Sequence, residues 1–106
     1  MGTVDRPVAA EVEEMIQFAQ GGIVSKTIVE REQFRFILFC MAKGQELSEH
    51  TASVPATIQV VRGSASVKLG ETTHQAKPGS FFYMPAELPH AIVAQEDLVF
   101  VLAMLG

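Results

Sequence analysis

The chain has 106 residues, room for one domain, and a 48% hydrophobic content that suffices to fill a core. Twelve acidic against eight basic residues give a net charge of −4, with no basic run and no basic–aromatic interleaving, which argues against a nucleic-acid surface. A single cysteine, Cys40, excludes an intrachain disulfide, and no window is apolar for long enough to span a membrane. The first residues lack the basic start and apolar middle of a signal peptide. Met1-Gly2 meets Arg6 where a myristoylation signal wants Ser or Thr. These features predict a cytoplasmic protein.

Taken in order, residues 5–20 read as the one helix. Asp5 is the expected N-cap, with Pro7 in the first turn and Glu11, Glu13 and Glu14 favouring the N-terminal half. Val8, Val12, Met15, Ile16 and Ala19 make an apolar stripe suited to lying across a sheet or meeting a second subunit, and Gly21-Gly22 supplies a stop. From Ile23 onward the pattern is β. Strands are expected over 23–29, 33–42, 47–50, 57–62, 65–69, 72–76, 80–84, 90–94 and 98–105. Gly63-Ser64 joins the fourth and fifth as a hairpin, Pro55 marks a loop and 85–89 form a rim loop. Nine short strands at close turn spacing, with no βαβ alternation, predict an all-β barrel or sandwich. The division expected is an N-terminal helical segment at 1–22 and a barrel at 23–106, one domain overall. The strand Phe81-Phe82-Tyr83-Met84 carries apolar residues on both faces, so one pair faces outward, against a covering helix or a subunit interface.

Two stretches carry the chemistry. Gly44 is followed after five residues by His50, with Gly63 further on. Gly79 is followed after five residues by Pro85, and then by His90. In this order and spacing the residues resemble the small single-domain cupins over roughly residues 33–105. That family's motifs read G-x5-H-x-H-x3–4-E-x6-G and G-x5-P-x-G-x2-H-x3-N. The resemblance implies a double-stranded β-helix, a jelly-roll barrel, with a short N-terminal α-helix, and a homodimer. It also implies a metal held by three histidines and a carboxylate. Here the second histidine position is Ala52, the carboxylate position is Ala56, the second-motif glycine is Glu87 and the terminal asparagine is Ala94. Only His50 and His90 carry over as ligands.

What remains allows several chemistries. His50 and His90 are candidate ligands for one divalent transition metal (Fe, Ni, Cu, Mn or Zn) if His74 or Gln59 adds a donor. Alternatively they form a metal-free polar pair. Gln59 points away from the interior by simple alternation unless a bulge re-aims it, and Glu49 faces opposite to His50. Glu87 is the nearest carboxylate in sequence to orient a catalytic His90, and is more readily a solvated rim charge. Cys40 has no basic neighbour to activate it, and no serine sits in a nucleophile elbow. Ala52 and Ala56 enlarge the cavity and make it less polar; Met41, Met84, Tyr83 and Met104 are its expected lining. Two functions follow. One is a binding protein for a small molecule centred on His50 and His90. The other is a metal-dependent dioxygenase- or isomerase-like enzyme using the same two ligands.

Overall fold

The computed structural model describes residues 5–106. The Met1-Gly2 pair and the start of the 1–22 segment lie outside the described residues. Nine strands follow one short helix, α1 (Val12–Met15): β1 (Ile23–Arg31), β2 (Phe34–Met41), β3 (Glu46–His50), β4 (Ala56–Arg62), β5 (Ala65–Leu69), β6 (Thr72–Ala76), β7 (Phe81–Met84), β8 (His90–Ala94) and β9 (Leu98–Met104). They form two antiparallel sheets, a larger one ordered β1-β2-β9-β4-β7 and a smaller one ordered β3-β8-β5-β6. This is the all-β architecture that the spacing of turns predicts, wound as the jelly-roll that the motif resemblance implies. Strand ends agree with the sequence reading to within a residue or two, because the breaks fall at Gly, Pro and charged turns that end a ladder locally.

Alternation assigns the faces. Directly paired residues share a face, so the rows Ile37–Leu102–Ile58–Phe82 and Phe39–Phe100–Val60 of the larger sheet point inward. They meet Val67, Ile92 and Ala94 of the smaller sheet in one buried cluster, with Phe39 and Phe100 stacked at 5.0 Å. The outer rows of the larger sheet carry a second cluster. Leu38, Cys40 and Val99 are covered there by Val12, Met15 and Ile16 of the N-terminal segment. Cys40 is therefore a buried thiol beneath that segment.

The helix expected over residues 5–20 is a single turn. Asp5 does not cap it: its carboxylate pairs with Arg31 on β1. Glu11 stands at the N-cap without a side-chain bond, and Ile16 leaves the helix with extended backbone at φ −63°, ψ 128°. Helix shorter than about 12–15 residues gains little from its own hydrogen bonds. Here the sheet takes only Val12, Met15 and Ile16, while Val8 and Phe18 stay exposed. The apolar stripe was legible; its regular extension on either side was not needed to bury it.

The two ends of the barrel differ. At one end Gly63 turns at φ +83°, and a Cβ there would lie 2.1 Å from the Asp97 carbonyl oxygen. Beside it the Lys43 amide donates to Asp97, the Ser64 hydroxyl to Glu96, and Arg62 pairs with Glu13. The opposite end holds the 51–55 and 85–89 loops, tied by the Glu87 amide donating to the Ala52 carbonyl at 2.7 Å. Among the described residues no helix is long and apolar enough to cross a membrane.

Candidate ligand-binding site

His50 ends β3 and His90 opens β8, and the two are direct partners across that ladder. Parity alone would turn His50 outward, since Leu47 packs into the core three residues earlier. The register shifts between Leu47 and His50: three residues of β3 match the two that separate His90 from Ile92. That one-residue bulge brings His50 back to the inner face. Glu49 stays outside, 3.3 Å from Lys68.

The rings stand with centroids 4.2 Å apart and planes tilted by 59°. His90 is 8% exposed, whereas His50 lies at the open rim. Each ring is anchored in the same way. His50 Nδ1 donates to the Ser48 carbonyl at 2.8 Å, and His90 Nδ1 donates to the Leu88 carbonyl at 2.8 Å. A carbonyl only accepts, so Nδ1 carries the proton, and in a neutral imidazole the lone pair then sits on Nε2. The pair thus offers two acceptor nitrogens whose ring orientations are fixed by backbone.

The surroundings are apolar. On the smaller sheet the row containing the pair continues through Leu69 to Thr72. On the larger sheet the last inner row at this end is Met104–Ala56–Met84. Met84 is 2% exposed, Ala56 is buried and Met104 is half-buried. Arg35 terminates that row, and its guanidinium pairs with Glu30 at 2.8 Å.

Other candidates fall elsewhere. His74 shares a row with Val67 and Ile92, on the inner side of the edge strand β6, where its ring packs 5.6 Å from Phe82. Gln59 lies in the row Leu38–Val101–Gln59–Phe81 on the outer face of the larger sheet, exposed. Met41 is fully buried, but in the row Ile23–Met41–Leu98 at the Gly63 end, so it lines the core far from the histidines. Tyr83 is a correction too. It shares the outer row Phe36–Ala103–Thr57–Tyr83 and is 55% exposed, beside Phe81 at 58%. Phe82 and Met84 are the inward pair of β7. Glu87 is exposed, and the bond that holds the His90 ring comes from the Leu88 backbone instead. Glu87 itself has φ +68°, the one described non-glycine residue in the left-handed region, at the position where the second motif has glycine.

The anchoring carbonyls of Ser48 and Leu88 were not foreseen. Every residue has a carbonyl, so only their common place two residues before a histidine marks them. Leu88 and Leu47, packed against the inner cluster, were missed as lining; each stands two or three residues before its histidine.

A divalent catalytic metal does not fit this donor set. Among the described residues no three His, Cys, Asp or Glu side chains come together to hold an ion. Two imidazoles fall short of the three protein ligands such centres use. An open groove of about 590 Å³ exists at the opposite end, lined by Lys43, Arg62, Gly63, Pro78, Glu96 and Asp97. It shares no residue with the histidine pair.

Two facing antiparallel sheets wound as a jelly-roll, with histidines paired at one mouth, define the double-stranded β-helix class. The family described as "Cupin domain" matches residues 37–105, from β2 to just past β9, and the chain belongs to the cupin family. Among solved structures, a conserved protein of unknown function from Streptococcus pyogenes is 24% identical with a TM-score of 0.84, covering 98% of this chain and 91% of its own. A cupin superfamily protein from Desulfitobacterium hafniense is 18% identical with a TM-score of 0.85, covering 97% and 93%. An RmlC-like cupin from Desulfovibrio desulfuricans is 22% identical with a TM-score of 0.85, covering 94% and 97%. At these identities the likeness is one of fold. No curated protein matches the sequence.

Proposed function

We propose that this cupin is a ligand-binding protein whose binding centre is the His50–His90 pair. One observation carries the proposal. Both Nδ1 atoms are spent on backbone carbonyls, which leaves two oriented Nε2 lone pairs at an apolar barrel mouth. A site with a few placed polar atoms amid apolar side chains is the usual make-up of a small-molecule site. The ligand is one that donates to, or accepts electrons from, two nearby nitrogens. Among the described residues no third His, Cys, Asp or Glu side chain joins the pair as a metal donor.

The test is a small-molecule panel followed by nuclear magnetic resonance on the imidazole nitrogens. Binders should perturb His50 and His90 Nε2 and lose their effect in a His50→Ala/His90→Ala variant that still melts cooperatively. Binders that perturb only the groove at Lys43 and Arg62 would overturn the assignment.

We extend the proposal to a homodimer and a cytoplasmic location. The dimer is supported by Phe81 and Tyr83, exposed on the half of the larger sheet's outer face that the N-terminal segment leaves bare. The location is supported by the free thiol of Cys40. Sedimentation of the wild type against Phe81→Ser/Tyr83→Ser checks the first: the wild type should run as a dimer and the variant as a monomer.

A further inference from the structure

Residues 5–20 lie on the barrel without joining either sheet. Among the described residues their backbone makes no hydrogen bond to strand backbone. The Glu14 amide donates to the Glu11 carbonyl, and the Ala19 carbonyl accepts from the Gly22 amide. The first backbone tie to the barrel comes after the segment, where the Gly22 carbonyl accepts from the Ala42 amide at 3.1 Å. Gly21 just before it sits at φ +62°, with open space where a Cβ would stand. A glycine pair there is a joint that can turn without dragging on β1.

Side chains alone hold the segment down. Val12, Met15 and Ile16 pack on the outer strip of Leu38, Cys40 and Val99, while Val8 and Phe18 stay exposed. Two arginines at strand ends pin it. Arg31, closing β1, pairs with Asp5 and donates to the Arg6 carbonyl at 3.0 Å. Arg62 closes β4 in the outer row Val24–Cys40–Val99–Arg62 and pairs with Glu13. Asp5, Glu13 and Arg62 are each more than half exposed, so these pairs are weak and salt screens them. A single helical turn adds little hold of its own. The inner core, by contrast, contains no residue of the segment, and neither sheet depends on it for a ladder.

From this we infer that residues 5–20 are a detachable strap, hinged at Gly21-Gly22 and pinned by Arg31 and Arg62, which opens while the barrel stays folded. Opening bares the strip of Leu38, Cys40 and Val99. That strip continues along the row Leu38–Val101–Gln59–Phe81 into the exposed Phe81 and Tyr83. The strap thus sets how much of the larger sheet's outer face is free, and ionic strength sets the strap.

Cys40 is the one cysteine of the chain and lies beneath the strap, so its alkylation reads the opening in the full-length protein. Iodoacetamide, a neutral reagent, is used at rising urea below the unfolding transition, at low salt and at about 1 M NaCl, with glutathione as the free-thiol control. Opening the strap uncovers far less surface than unfolding the barrel. The labelling rate should therefore rise with urea at less than about half the slope of global unfolding. Salt should speed labelling about fivefold, and Arg31→Gln/Arg62→Gln should do about the same at low salt. A urea slope equal to that of global unfolding would overturn the strap, a result that needs no variant to fold. Labelling that neither salt nor the arginine variant changes would overturn the pins and the inference with them.

Discussion

The two ends of the barrel are built from different materials. At the Gly63 end the chain is closed by backbone contact and charge: glycine lies against the Asp97 carbonyl, Lys43 is tied to Asp97, and Ser64 to Glu96. At the histidine end the inner rows are Leu69–Thr72 and Met104–Ala56–Met84, the latter ended by Arg35, and the two imidazoles are held by backbone. The first end over-determines the turn that sets strand register. The second leaves oriented lone pairs across from the apolar row Met104–Ala56–Met84. Stability and binding are therefore assigned to separate ends, and substitutions should separate them.

The largest effect is expected from Gly63→Ala. It imposes a side chain at φ +83° and drives its Cβ into the Asp97 carbonyl, at 2.1 Å. Backbone strain and the forced shift together should cost about 3 kcal/mol or more in urea unfolding. Ligand response at the histidines should persist in whatever fraction stays folded. A loss below ~1 kcal/mol would mean that this end yields easily and the division is wrong.

The histidines should be unequal in stability and equal in binding. His90 is buried, so His90→Ala leaves the Leu88 carbonyl without its partner and opens a gap, costing about 1–3 kcal/mol. His50 stands at the exposed rim, and His50→Ala should cost under ~1 kcal/mol. Thermal melts of the two single variants measure the difference; matching melts would show that the bulged end of β3 is as structural as β8.

The smallest expected effect is a gain. Glu87 holds φ +68° against the preference of an L side chain. Glu87→Gly should raise stability by about 1 kcal/mol, because its amide bond to the Ala52 carbonyl needs only the backbone. A loss instead would mean that the Glu87 side chain holds the rim loop.

What was legible in the sequence follows from what is local. The nine strands could be read because turn residues break them and their alternation has a period of two. His50 and His90 were legible as a pair because two spaced motifs named them. The direction in which His50 points was not, because it depends on the extra residue in β3, and a bulge has no side-chain signature there. Tyr83 was misplaced because β7 is apolar on both faces, and sequence alone does not say which pair turns inward. Met41 was misplaced because it closes β2 at the Gly63 end, a fact of topology and not of composition. Of the stripe Val8, Val12, Met15, Ile16 and Ala19, only Val12, Met15 and Ile16 cover the sheet, while Val8 and Ala19 are exposed, and the helix was over-extended because propensity ignores how little of it the sheet contacts.

The most direct test of the central claim is a long-range ¹⁵N–¹H spectrum of the three imidazoles, recorded free and with bound ligand. The account predicts Nδ1–H tautomers at both His50 and His90, and movement of both Nε2 signals on binding while His74 stays still. An Nε2–H tautomer at either residue, or a response at His74 with none at the pair, would contradict it.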